Sequence, residues 1–129
     1  MSELQNSFSY KWFDLVWNKS QEHAIDLLVD EDAIILGLND DLHGPAGFKN
    51  FYHSFRNEFE QILVTVTRVD SFDDGEITHC NVKAVHKNSN QHVDFNGKCR
   101  LKIANGKITE ALNEFDFETM TKQIASPAL

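Results

Sequence analysis

Unbroken alternation over eleven residues, Val93-Asp94-Phe95-Asn96-Gly97-Lys98-Cys99-Arg100-Leu101-Lys102-Ile103, constrains this chain more than any other stretch. Odd positions are apolar or small and even positions polar or charged, apart from the glycine, which is the period of a strand with one dry face. Asn105-Gly106 follows, two residues that tolerate positive φ, so the chain folds back as a hairpin. The turn then decides which side chains of the returning strand, Lys107 to Phe117, join the dry face. A two-residue turn sets Ile103 opposite Ile108 and brings Glu110, Leu112, Glu114 and Asp116 inward. A three-residue loop with Gly106 as the bulge residue sets Ile103 opposite Lys107 and brings in Thr109, Ala111, Asn113 and Phe115. An unpaired carboxylate among apolar groups is costly, so the bulged loop is favoured. It leaves Ile108 and Leu112 facing outward, which predicts that the outer face of the sheet is covered too, for example by a second copy of the chain.

The preceding segment agrees on one dry face. Ile77 to Lys87 reads as a strand with small even members, Thr78, Cys80, Val82 and Ala84. A two-residue turn at Ser89-Asn90 would set Ala84 against Phe95, Val82 against Gly97 and Cys80 against Cys99. Facing cysteines on neighbouring strands stand a little too far apart for an unstrained disulfide, so the expectation is two packed, reduced, unreactive thiols. Ile62 to Val69 is a further strand, turned into the next by Asp73-Asp74-Gly75-Glu76.

Upstream the period changes to that of helices. Ser2-Glu3-Leu4-Gln5 or Ser7 caps a helix running to about Lys19, with Phe8, Trp12, Leu15 and Val16 on one side and Phe13 and Trp17 widening the stripe. Gln21 to about Val29 is a second helix, ended by Asp30-Glu31-Asp32. Ala33 to Leu38 is a short apolar strand and Asn39-Asp40-Asp41-Leu42 a loop. Gly44-Pro45 opens a third helix, along which Phe48, Phe51, Tyr52, Phe55 and Phe59 form a single aromatic stripe. A last helix spans about Glu118 to Ala125. Helices on one face of a curled, mostly antiparallel sheet of about five strands give an α+β layout, read as one domain over residues 1–129.

Composition excludes several functions. The net charge of −8 argues against a nucleic-acid partner, which calls for clustered Lys and Arg. No apolar run is long enough to span a membrane, and the N-terminus lacks the blocks of a signal peptide, which gives a cytoplasmic reading. His, Cys and Asp show no ligand spacing, so no metal is assigned. Gly44-Pro45-Ala46-Gly47 is a helix start and not a phosphate loop, so no cofactor is assigned either.

Val16-Trp17-Asn18, then His43-Gly44-Pro45-Ala46-Gly47-Phe48 with Phe51 and Phe55, then Gly106-Lys107-Ile108-Thr109-Glu110, and finally Asp116 with Met120 and Gln123-Ile124, resemble the SnoaL-like polyketide cyclases of the nuclear transport factor 2-like superfamily. The resemblance covers about residues 8 to 124. It implies a cone-shaped α+β barrel, a homodimer through the outer sheet face and a pocket between helices and sheet. It also implies that the parity of Ala111, Asn113 and Phe115 faces inward. In that family a His and an Asp on the last two strands point into the pocket, and the Asp serves as general acid/base in an intramolecular aldol closure. Those positions are Cys99 and Asn113 here, and a neutral amide cannot abstract a proton at neutral pH.

The pocket-lining candidates are therefore Trp12, Phe51, Phe55, Cys80, His86, Phe95, Cys99, Asn113 and Phe115, with no catalytic residue assigned. Of the histidines, His43 sits at the mouth of the third helix, His53 on it, and His79 and His86 on opposite sides of one strand. Three functions stay open. One is a lyase or isomerase acting on a hydrophobic cyclic or polyketide-like molecule. Another is a non-catalytic ligand-binding or dimerisation module, and the third an adaptor using the outer sheet face.

Overall fold

A computed structural model describes residues 4–38 and 40–125. A short 3-10 turn, Leu4–Asn6, leads into α1 (Phe8–Phe13). Ser7 is its cap: the hydroxyl accepts from the Tyr10 N–H at 3.1 Å, satisfying one of the donors a helix start leaves open. Of the other capping candidate, Ser2 and Glu3 lie outside the described residues. The helix widens at its end into a π-helical turn over Asp14–Asn18. It is followed by α2 (His23–Leu28), β1 (Val29–Leu38), β2 (Asp40–His43) and α3 (Gly44–Glu58). The second half holds β3 (Phe59–Phe72), β4 (Gly75–His86), β5 (His92–Ala104), β6 (Lys107–Phe115) and α4 (Phe117–Ala125).

The strands form one sheet in the order β2-β1-β6-β5-β4-β3. Every pairing is antiparallel except β1 with β6. The three N-terminal helices pack on one face and α4 closes one end. The expected α+β layout is thus present, with one strand more than expected. Asp40, Asp41 and Leu42, read as loop, belong to that extra strand. It exists through its pairing with β1, Ile35 opposite Leu42 and Ile34 opposite His43, and charged local sequence does not reveal such a partner. Asn39 lies outside the described residues. The acidic triplet Asp30-Glu31-Asp32 does not end α2, which stops at Leu28; it forms the stretch of β1 whose pairing with β6 is interrupted.

Both hairpins correct the sequence reading. Between β4 and β5 the loop has four residues, Lys87 to Asn90, closed by the His86 N–H on Gln91 O at 2.8 Å, with Asn90 at φ 60°. The register therefore moves by two: Ala84 faces Val93, Val82 faces Phe95, Cys80 faces Gly97 and Thr78 faces Cys99. A shift of two keeps every side chain on its face, so the dry side survives while the two cysteines become diagonal neighbours. Between β5 and β6 the turn has two residues, Asn105 and Gly106, at φ 55° and 76°, with Ala104 opposite Lys107 and Ile103 opposite Ile108. Lys102 nonetheless faces Glu110, so Thr109 is a surplus residue on β6. Beyond that bulge Leu101 faces Ala111 and Cys99 faces Asn113. Ile108 is consequently not outward-facing but a 2% exposed member of the core, while Leu112 does face out.

The core lies between α1, α3 and the concave side of the sheet. Phe48 and Tyr52 are buried, and Phe51 and Phe55 partly so. Phe59 is already the first residue of β3, but stays buried and stacks on Phe55 at 4.5 Å. Tyr52 donates its hydroxyl to Val16 O at 2.9 Å, tying α3 to the end of α1.

β3 is an edge strand, and a side chain completes part of its outer edge. The Asn18 amide donates to Val64 O at 2.8 Å and accepts from the Val64 N–H at 2.7 Å, so it pairs as a strand residue would. Asn18→Ala removes two hydrogen bonds worth about 1 kcal/mol each and bares a strand edge. The variant is expected to unfold at lower denaturant concentration by about 1–3 kcal/mol with an unchanged m-value; an unaltered midpoint would show the pairing to be dispensable.

Candidate functional site

Between the helices and the concave sheet lies an apolar cavity of about 50 Å³. Its helical wall is aromatic: Trp12, Trp17, Phe48, Phe51 and Phe55. Trp17 is the hub, with ring centroids 4.9 Å from Tyr52, 5.5 Å from Phe55 and 6.3 Å from both Phe48 and Phe51. The π-helical turn carries it there; such turns recur at functional sites because one added residue re-aims the side chains after it.

The sheet wall is Ile62, Val64, Val82 and Phe95, and the far end is closed by Phe115 and by Phe117 of α4, stacked at 5.8 Å. Gly97 is what lets Phe115 lie flat across β5, since a Cβ on it would meet that ring at 2.1 Å. α4 is held in place by a second strand-like amide. Gln123 accepts from the Asp94 N–H at 2.8 Å and donates to Asp94 O at 3.0 Å.

One polar non-aromatic side chain lines the cavity, Asn113. Its Oδ1 accepts from the Cys99 thiol at 3.1 Å and its Nδ2 donates to Leu36 O at 2.9 Å. Among the described lining residues none carries a titratable side chain. Glu114, the next residue, and Glu110, three residues before, are outside the cavity.

Of the nine candidates read from the sequence, Trp12, Phe51, Phe55, Phe95, Asn113 and Phe115 stand on the wall. The other three do not. Cys99 is 1% exposed and sits behind Asn113. Cys80 is buried opposite Gly97. His86 shares their side of the sheet but lies at the far end of β4, its Nδ1 2.7 Å from Ser89 Oγ and its ring 5.3 Å from that of Phe59. Parity along a strand gives a side chain's face but not its position along the curl of the sheet. His43 and His53 are exposed, and His53 pairs with Glu22 at 2.7 Å. Of the wall residues absent from the sequence candidates, Trp17 carries a signal in its place on the widened stripe of the first helix, and Phe117 in sharing the parity of Asn113 and Phe115, although it begins α4 and is not part of β6. No group of acidic, His and Cys side chains suited to a metal ion occurs among the described residues. No described helix is long and apolar enough to cross a membrane.

The same architecture recurs among solved structures. A candidate SnoaL-like polyketide cyclase from Jannaschia sp. CCS1 matches with a TM-score of 0.84 at 16% identity, over 94% of this chain and 91% of that one. A protein of ketosteroid isomerase-like fold from Catenulispora acidiphila, solved in complex with trimethylamine, gives 0.80 at 14% identity over 89% and 90%. TsrD from Streptomyces laurentii gives 0.81 at 11% identity over 92% of each chain. Curated proteins yield no match. The fold is therefore that of the ketosteroid isomerase-like and nuclear transport factor 2-like proteins, with an apolar pocket between its layers. The profile of the SnoaL-like polyketide cyclases matches residues 8–124, and the chain belongs to that family.

Burial pushes the Cys80 thiol up to about 12 and holds Cys99 well above its ordinary value, with Cys80 and Glu114 adding to the latter. A thiol whose pKa is raised by folding keeps its proton longer than the unfolded chain does. Its contribution to stability is complete below the unfolded value of about 8.5 and is lost as pH climbs toward the folded value. The native protein is expected to lose stability progressively above about pH 9, and both cysteines to resist alkylation at neutral pH until denaturant opens the fold. Rapid labelling of Cys99 in the native state would contradict this.

Proposed function

We propose that the chain binds a small hydrophobic molecule, cyclic or polyketide-like, in the aromatic cavity, which must widen from about 50 Å³ to admit a ring, and that the cavity wall contributes no acid/base chemistry of its own. The observation that carries this reading is the wall itself, nine aromatic side chains among fourteen lining residues and no group that titrates. A general base must both reach the proton it removes and hold a pKa near the operating pH. At the position where the family resemblance implies a catalytic Asp stands the neutral Asn113. At the position of the implied His stands Cys99, buried behind it and protonated. A lyase or isomerase reaction on this scaffold would find no general acid or base on the cavity wall, so binding is the better supported function. The small amine held by the Catenulispora protein supports a small-molecule site in this fold, and two unpaired cysteines suit a cytoplasmic setting.

The test is a titration with 2-naphthol, a ring alcohol that stays neutral from about pH 5 to about pH 8. Its dissociation constant is expected to stay flat across that range, and to rise by about tenfold or more in Trp17→Ala. A constant that steps with a midpoint inside the range would reveal a titrating group at the site and return acid/base catalysis to consideration.

The reading includes a homodimer through the outer sheet face. Ile34 and Leu112 are each 42% exposed there on neighbouring strands, with Leu36 directly opposite Leu112. Large apolar groups clustered on an open sheet face are a common mark of an interface. Sedimentation at micromolar concentration is expected to give a species twice the 14.8 kDa chain mass, and Leu112→Asp to shift it toward the monomer. A monomer at all concentrations would count against the pairing.

A further inference from the structure

We propose that Asn113 is the specificity-determining residue of the cavity, and that it selects a neutral ring molecule bearing an uncharged oxygen acceptor, a hydroxyl or a carbonyl, over the bare hydrocarbon and over a carboxylate. The inference rests on the ligand-binding reading above and comes from counting the hydrogen bonds of one amide. A side-chain amide has two N–H donors and two acceptor lone pairs. Leu36 O, at 2.9 Å, can only accept, so nitrogen is the atom that faces it. That leaves Oδ1 toward Cys99, whose thiol supplies the proton at 3.1 Å.

The two partners lie on either side of β6, Leu36 on β1 and Cys99 on β5. The amide cannot turn over without setting its oxygen against the Leu36 carbonyl. The backbone beneath it is fixed as well: Gly37, at φ 89°, packs so closely that a Cβ would fall 1.9 Å from Asn113 O. One N–H and one lone pair of the amide remain. No third protein partner takes them among the described residues, and the side chain lines the cavity.

Of the two, the N–H decides. A buried carbonyl tolerates an unused lone pair far better than a buried N–H tolerates having no acceptor. A hydrocarbon that fills the cavity strips water from this N–H and offers nothing in return. An alcohol or ketone oxygen replaces the water. A carboxylate could accept too, but the wall holds no cation to offset the loss of its hydration.

The experiment uses three probes on one ring, 2-naphthol, 2-methylnaphthalene and 2-naphthoate, measured by calorimetry on the wild-type protein and on Asn113→Leu. 2-Naphthol is expected to bind at least about tenfold more tightly than either of the others, against the order that hydrophobicity alone would give the methyl compound. In Asn113→Leu its advantage over 2-methylnaphthalene should vanish. Should that variant fail to fold, the wild-type protein still decides: the side-chain NH2 resonances of Asn113 shift with 2-naphthol and not with 2-methylnaphthalene. Equal affinity for those two in the wild type, or tightest binding of 2-naphthoate, overturns the inference and leaves the ligand-binding reading standing. Failure of all three to bind removes both.

Discussion

The chemistry of this cavity depends on one surplus residue. The Asn105-Gly106 turn, taken alone, directs Glu110, Leu112 and Glu114 onto the dry face of the sheet. Thr109 bulges out of the ladder three residues after the turn, between Ile103 opposite Ile108 and Lys102 opposite Glu110, and every side chain beyond it changes sides. Ile108, before the bulge, stays in the core; Ala111, Asn113 and Phe115, after it, line the concave face. The alternative register would bury carboxylates with no partner, at a cost of several kcal/mol each. A bulge loses part of one ladder step, and here the Thr109 hydroxyl bonds to Lys102 O at 3.3 Å across it. The magnitudes leave no contest between the two arrangements.

This bulge also shows what a sequence discloses. Asn113 and Phe115 turn inward as burial cost predicts, but through a two-residue turn followed by a bulge and not through a three-residue loop. Burial cost constrains parity, and parity was legible. The device that achieves it was not, because Thr109 is an ordinary strand residue and marks nothing. The β4–β5 hairpin repeats the point: Cys80, Val82 and Ala84 keep their face while all their partners move by two. The aromatic stripe of α3 and the proline at its start follow from local periodicity and were readable. β2 is defined by its neighbour and was not. Among the site candidates, the helix aromatics were accessible from spacing, whereas face parity alone could not separate Asn113 from Cys99 beneath it or from His86 at the strand's far end.

Two side-chain amides hold the helices to this sheet in the same way. Asn18 pairs with both backbone groups of Val64 on edge strand β3, and Gln123 with both of Asp94, where β5 runs on past the end of β6. Each supplies the donor and acceptor that a further strand would have provided, and each anchors an element bearing a cavity aromatic. Asn18 follows Trp17 directly; Gln123 lies on the helix that begins with Phe117. Edge satisfaction and pocket construction are thus one piece of work. Val16-Trp17-Asn18 thus acts as a unit: the Val16 carbonyl receives the Tyr52 hydroxyl, Trp17 forms the wall, and Asn18 fixes both to the sheet.

The same logic explains why an amide, and not a carboxylate, suits position 113. Leu36 O demands a donor from the 113 side chain, and the Cys99 thiol, from the opposite strand, demands an acceptor. An amide meets both demands at once in either protonation state of its surroundings, because it has none of its own. A carboxylate would meet them only while protonated, since an ionised oxygen 2.9 Å from a carbonyl oxygen is repelled, and a half-buried site among apolar groups screens that repulsion poorly. Burial and that carbonyl would together raise its pKa and make it an acid at neutral pH, unable to serve as a base. A thiol partner offers no positive charge to reverse the balance, as a protonated imidazole would. Cys99 and Asn113 therefore fit each other as an uncharged pair, which leaves one amide N–H of Asn113 at the cavity wall with no protein acceptor among the described residues.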